Sequence, residues 1–213
     1  LLTNVRKKAL SKLGLDYETL SEAFPALVYC HLSAWGRSGP QEDDPGYDTG
    51  AFASASGVME FFRPSDASPM SRWPVGLGDH STSMNLVAGI ALALFHRSRT
   101  GRGQLVDVSL LRSGIWSNAL SLVAAGTSPA WSRELRQEMH RGGRPLLLQP
   151  YPCKGGTFVH LLGYETRRHQ PAVLRCLELE ALAEQEGAFK AALAPKSKTS
   201  IVPLMDNVSS TTA

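Results

Sequence analysis

GLGDHSTSMNLVAGIALALFHRSRTGRGQLVDVSL, residues 76–110, decides the fold of this chain. From Met84 to Phe95 the only polar residue is Asn85. A helix that is apolar all round is buried rather than amphipathic, so the stretch predicts a buried helix from about Ser81 to Arg97. It is too short to span a bilayer, and the charged run His96–Arg99 follows at once. Thr100–Gly103 then turns the chain. Leu105–Leu110 reads as a strand with Val106, Val108 and Leu110 on one face. At the mouth of the helix, Asp79 and Ser81 offer oxygens suited to an N-cap. The helix dipole favours a carboxylate there in its charged form by roughly 0.3–1 kcal/mol. The ionised form is also the one that attacks an acyl group. By spacing alone Asp79 is either a cap or a covalent nucleophile, and both readings stand at this point.

The same alternation extends outward. Asp16–Ala23 predicts a short helix, and Ala26–Leu32 (ALVYCHL) a buried parallel strand. A loop follows, marked by Gly36, Gly39, Pro40, Pro45 and Gly46. Tyr47–Met59, rich in small residues, reads as helix, residues 64–74 as loop, and Leu111–Ala125 as another helix. Strands alternating with helices imply an α/β fold with a mostly parallel, Rossmann-like sheet covered by helices. The organisation predicted is a large-domain part over residues 1–126 and a linker over 127–148. The start of a smaller α+β domain over 149–190 and a disordered tail over 191–213 complete it. Within the smaller part, Gln149–Pro152 and Thr157–Leu162 suggest a small β segment, and His169–Leu182 an amphipathic helix.

Composition narrows the function classes. The chain has 213 residues, 43% hydrophobic and 19% charged, which is enough to bury a core. A net charge of +3 is mild and does not call for nucleic acid. Basic residues cluster at Arg6–Lys12, Arg97–Arg102 and Arg133–Arg144, mostly as solvated surface. One such run would suit the phosphates of an anionic ligand. The three cysteines, Cys30, Cys153 and Cys176, lie far apart, with no CxxC spacing. That argues against structural zinc or any metal site and fits a reducing compartment, cytoplasmic or alternatively the mitochondrial matrix. No signal-peptide core, membrane span, GxSxG elbow, Walker A or HExxH sequence is found.

Five segments, in order, carry a family resemblance: GLDYETL (14–20), PALVYCHLSAWGRSGP (25–40), DPGYD (44–48), GLGD (76–79) and HRSRTGRGQLVDVSLL (96–111). Together they resemble the family III CoA-transferases, which include formyl-CoA and carnitine-type CoA-transferases and the methylacyl-CoA racemases. The likeness runs from about Asn4 to about Phe189. The resemblance implies that Asp79 is the nucleophile, forming an aspartyl–acyl anhydride while CoA passes from an acyl-CoA to a carboxylic acid. A coenzyme A thioester is then substrate, with no permanently bound cofactor. It places CoA contacts at NVRKKALSKLG (4–14), where Asn4, Arg6 and Lys12 match by position. Val5, Lys7 and Lys8 depart from the family's Phe, Pro and Gly. The alternative for this run is an exposed basic helix. Tyr47 and a Gly-rich turn at Gly142 and Gly143 (RGGR) complete the implied ligand-facing set. Backbone amides around Ser81–Ser83 are the implied oxyanion donors.

The racemase branch carries His where this chain has Tyr47. General acid–base work at an α-carbon needs a group titrating near neutrality, as His does and Tyr, near ~10, does not. Gly46-Tyr47-Asp48 therefore favours transferase over racemase, which stays as the alternative. His80 beside Asp79 reads as surface or packing, and Asp48 as a local hydrogen-bonding residue. The resemblance further implies an interlocked homodimer, and an opening βαβ unit before Leu1, so that this chain covers about half of a typical member. A truncated, non-catalytic fragment acting by association is the third reading.

Overall fold

The computed structural model describes residues 1–63, 68–70, 72–127, 150–152, 156–163, 165–176 and 180. The chain divides into two compact units, Leu1–Glu134 and Leu135–Ala213. The first holds a three-stranded sheet in the order β1 (Leu2–Thr3), β2 (Tyr29–Ser33), β3 (Leu105–Ser109), all parallel. Thr3 pairs with His31, and His31 with Asp107, so these three residues run in line across the sheet. This is the α/β fold expected from the alternation of elements.

Helices α1 (Lys7–Lys12) and α2 (Tyr17–Ala23) connect β1 to β2. Asp16 caps α2, its carboxylate accepting from the Thr19 amide at 3.0 Å. The long helix α3 (Leu77–Thr100) precedes β3, which runs directly into α4 (Leu110–Ser117) and then α5 (Ala119–Thr127). α3 ends on Gly101 in the left-handed region at φ 73°, its amide donating to Arg97 O. α3 crosses β3 closely at Gly89, where a Cβ would stand 2.6 Å from Val106 Cγ1. There Val28, Cys30, Leu86, Ala93 and Val106 form one core cluster.

Several expectations are corrected. α3 begins four residues earlier than predicted and is not buried all round. Leu86 and Ala93 are buried, but Met84, Val87, Leu92 and Phe95 are exposed. β2, β3, α4 and the segment at Asp48–Ser54 pack on α3, yet these apolar side chains stay uncovered by the described residues. Leu110 opens α4 instead of ending β3, because the Ser109 hydroxyl caps that helix by accepting from the Arg112 amide. The helix expected over Leu111–Ala125 is two helices. Asn118, at φ −100° and ψ 11°, separates them, its side-chain amide drawn to Ser56 O at 2.9 Å. Residues 47–59 form no regular α-helix, but a π-helical segment, Asp48–Ser54, and a 3₁₀ segment, Val58–Phe62.

In the second unit, β4 (Pro150–Pro152) and β5 (Phe158–His160) pair antiparallel, and α6 spans Thr166–Cys176. Of the predicted linker (127–148), Thr127 ends α5 and the rest lies outside the described residues, as do the predicted tail (191–213) and Cys153. Among the described residues no helix is long and apolar enough to cross a membrane. Nor do any of them gather three or more His, Cys, Asp or Glu side chains as a metal site would require.

Candidate active site

The start of α3 is set by backbone chemistry. Gly76 takes φ 80°, a left-handed value that glycine adopts without strain. The Leu77 amide donates back to Pro74 O at 3.3 Å, and the His80 amide to Gly76 O at 2.9 Å. Gly76, not Asp79 or Ser81, is therefore the N-cap, and Asp79 stands in the first turn. Ser81 turns its hydroxyl onto Leu77 O at 2.9 Å. The amides of Ser81–Ser83 fall inside the helical ladder, which removes them as oxyanion donors. The amides that helix geometry leaves without intrahelical partners there are those of Gly78 and Asp79.

Asp79 is exposed, and its carboxylate makes no hydrogen bond or ion pair with a described residue. Asp79 is a first-turn residue of α3 and not its cap. The dipole still favours negative charge at this place.

The floor beneath Asp79 is aromatic and tight. A Cβ on Gly78 would collide with the Asp48 carboxylate and the Phe52 ring. Asp48 is buried; its Oδ1 accepts from Trp73 Nε1 at 3.0 Å, and its Oδ2 has no partner among the described residues. The Trp73 ring lies between Phe52 and Phe62, at centroid distances of 6.0 and 5.7 Å. Leaving a buried acceptor unsatisfied costs about 1–3 kcal/mol. Asp48 thus supports the helix start from below.

Tyr47 is delivered by the neighbouring loop. A Cβ on Gly46 would meet Ala34 Cβ at 2.5 Å and Trp35 Nε1 at 2.9 Å, so the loop lies hard against the end of β2. Trp35 Nε1 donates to Pro45 O at 3.3 Å. Tyr47 follows, 84% exposed, which leaves its ring free for a ligand.

These pieces face one cavity of about 440 Å³ at the carboxyl ends of β1 and β2. Asn4 and Arg6 line it from the β1–α1 connection, Tyr47 from its loop, and Asp79 from α3. Four of the residues singled out in the sequence are therefore brought together. Lys12 is not among them; it lines a smaller hollow of about 170 Å³ with Arg6, Lys8 and Asp43. Arg6 belongs to both spaces, so a cationic groove adjoins the cavity. Gly142 and Gly143 lie outside the described residues. In open α/β sheets, ligands bind outside the carboxyl ends of the strands, where this cavity sits.

Sequence reasoning missed four lining residues. Ser83 is one helical turn beyond Asp79 on the same face, its hydroxyl donating to Asp79 O at 2.8 Å. Helical spacing from Asp79 would have found it. Glu42 and Asp44 place carboxylates on the rim, and nothing in their loop setting marked them. His31 is 2% exposed, with Nε2 2.9 Å from Val5 O and Nδ1 buried without a partner among the described residues. An imidazole inside an apolar strand was the signal.

The family model described as CoA-transferase family III matches residues 1–209. The chain is 44% identical over 125 residues to a cinnamoyl-CoA:phenyllactate CoA-transferase of Clostridium sporogenes, covering 59% of this chain and 30% of that protein. It is 31% identical over 160 residues to an (R)-2-hydroxy-4-methylpentanoate CoA-transferase of Clostridioides difficile, covering 75% of this chain and 39% of that protein. Among solved structures, a CAIB/BAIF family protein from Brucella suis superposes with a TM-score of 0.66 at 24% identity, covering 89% of this chain and 50% of the other. That likeness concerns the fold. The chain spans roughly a third of the length of these two curated relatives.

Proposed function

This chain belongs to CoA-transferase family III, and we propose that it carries the nucleophile of a CoA-transferase site, Asp79, together with part of the coenzyme A cradle. One observation carries the reading: Asp79 shares a cavity with Asn4, Arg6 and Tyr47, and Arg6 joins that cavity to a cationic groove. The carboxylate and the groups suited to an anionic thioester lie side by side.

The chemistry follows from a carboxylate nucleophile. The Asp79 carboxylate attacks the thioester carbonyl of an acyl-CoA. The carbon–sulfur bond breaks, and CoA leaves as thiolate, giving an aspartyl–acyl anhydride. The thiolate attacks the aspartyl carbonyl, forming an aspartyl–CoA thioester and releasing the first acid. An incoming carboxylate displaces CoA again to make a second anhydride. The thiolate takes the new acyl group and restores the Asp79 carboxylate. Exchange is thereby divided into smaller steps. Gly78 and Asp79 amides at the helix start are the oxyanion donors this geometry offers. Arg6 and Lys12 are the phosphate partners, and Tyr47 borders the acyl end. A second copy of the chain is the expected partner in assembly.

The two relatives above are named for 2-hydroxy acids with an apolar side chain, and we extend that acceptor class to this chain. The carboxylates of Glu42 and Asp44 on the rim support it, because a second carboxylate on the acid would meet like charge. The racemase reading is disfavoured because Tyr47 stands where that branch carries an imidazole.

The test is mass spectrometry of the purified chain after acyl-CoA treatment, with and without hydroxylamine. The expected result is an acyl or CoA adduct on Asp79 that hydroxylamine removes and that Asp79→Ala does not form. In turnover, Asp79→Ala is expected to lose at least about 10³-fold, as loss of a covalent nucleophile does. An Asp79→Ala chain that still forms the adduct, or keeps its turnover, sinks the proposal.

A further inference from the structure

We propose that His31 is a positioning residue for coenzyme A, acting through the backbone of Val5. It rests on the reading of Asn4 and Arg6 as coenzyme A contacts.

Asn4 and Arg6 sit on the short connection between β1 and α1. A connection of this kind wanders unless something ties it. Val5, between them, is tied on both sides. Its amide donates to Thr3 Oγ1 at 3.1 Å, and its carbonyl lies 2.9 Å from His31 Nε2. A carbonyl only accepts, so Nε2 carries the proton in this contact. The α1 ladder does not use Val5 O: its first acceptor is Arg6 O, which receives the Ala9 and Leu10 amides. A carbonyl and the following amide share one rigid plane. Holding Val5 O therefore sets the direction in which the chain enters Arg6, and so where the guanidinium reaches. The same anchor fixes Asn4 on the other side.

The cost of this arrangement is visible in the imidazole itself. His31 is almost wholly buried in the middle of the central strand β2, and its Nδ1 has no partner among the described residues. Packing alone would be better met by an apolar side chain of similar size, which leaves no nitrogen unpaired. The tie to Val5 is what the histidine adds. A second tie comes from outside the strand: Asp43 accepts from the Lys8 amide at 3.3 Å through Oδ1 and from Arg6 Nη1 at 3.4 Å through its carbonyl. Those contacts are exposed, whereas the His31 bond is partly buried.

The test compares three variants of the full chain. In His31→Gln the side-chain amide reaches as far as Nε2 and donates to Val5 O. His31→Asn is too short to do so, and His31→Leu has no donor. Two readouts are taken, calorimetric affinity for coenzyme A and amide hydrogen exchange. The expected result is Gln within about twofold of wild type, with Asn and Leu about tenfold weaker, a typical single buried hydrogen bond. Exchange over residues 4–10 rises in the Leu variant while that over 77–90 does not. A Leu variant that binds as wild type does, or a Gln variant as weak as Leu with the same exchange pattern, overturns the proposal. So does unchanged exchange over 4–10 in the Leu variant. If wild type fails to bind coenzyme A while the Leu variant exchanges faster over 4–10, the anchor is upheld and the coenzyme A reading of Asn4 and Arg6 falls.

Discussion

Two buried clusters lie along α3, and they are built differently. Near Asp79, Ala51, Phe52, Ala53, Met59, Trp73 and Leu110 pack around irregular helical segments, with a buried carboxylate, Asp48, among them. Further along, Val28, Cys30, Leu86, Ala93 and Val106 fill the space between a regular sheet and a regular helix. The second cluster needs only volume and apolarity. The first also sets where α3 begins, with a glycine seat, an indole hydrogen bond and a π-helical bend. Tolerance to change should differ accordingly.

A matched pair of glycine substitutions puts that difference to its hardest test. Gly78→Ala drives a methyl into Asp48 and Phe52, both of which are buried. Gly89→Ala meets a Val106 methyl at 2.6 Å across a helix–strand crossing. Overpacking costs typically 1–3 kcal/mol, so about 3 kcal/mol is expected for Gly78→Ala and about 1–2 for Gly89→Ala. The sharper contrast is functional: Gly78→Ala abolishes the Asp79 adduct per folded molecule, and Gly89→Ala leaves it intact. Urea unfolding beside adduct yield reads both. Equal losses of yield would mean that the seat beneath Asp79 is no more specific than any close crossing.

Trp73→Phe is the next step down. It keeps most of the ring packing against Phe52 and Phe62 but withdraws the only donor to Asp48 Oδ1 among the described residues. Both oxygens of that carboxylate are then buried without a partner, at an expected cost of about 1–3 kcal/mol. Asp48→Asn in the same background is expected to recover part of it, since a neutral amide tolerates burial better than a carboxylate. A loss under about 0.5 kcal/mol would show that the indole bond contributes nothing beyond shape.

The same contrast explains what was legible in the sequence. The second cluster follows from periodicity: ALVYCHL and LVDVSL read as strands, the long apolar run as the helix between them, and all three are present. The first cluster does not. The π-helical bend at Asp48–Ser54 depends on what Phe52 and Asp48 meet across the chain, and a run of small residues spells regular helix when taken alone. The place of Asp79 at the start of the apolar helix was legible because carboxylates favour helix N-termini, and its reading as a nucleophile came only from the resemblance of the flanking segments to a family. Its exact place was not legible, because Gly76 took the N-cap that Asp79 and Ser81 were better suited to by side chain. His31 escaped because its partner is a backbone carbonyl on another element, which no local spacing encodes.

The smallest effect expected is at Cys30, in the regular cluster. Its thiol is 3% exposed, and burial raises it above the ordinary value of 9.0, the nearby amino terminus opposing in part. Below 9.0 the thiol is neutral in both folded and unfolded chain, so Cys30→Ala loses only packing, about 1 kcal/mol for one buried heavy atom. As pH rises past 9.0 the unfolded chain gives up the proton while the folded chain keeps it. Unfolding then releases a proton, and stability falls with pH. Alanine has no proton to lose, so the advantage of wild type over Cys30→Ala shrinks from pH 7 to pH 10. Tyr29 is raised by burial too, but it is present in both chains and cancels in the difference. Adduct yield at Asp79 should not change at either pH, because nothing in this cluster is tuned to a single side chain. A Cys30→Ala chain whose stability gap stays constant across that range would show that the cluster admits water, and the division between the two regions would then be one of degree.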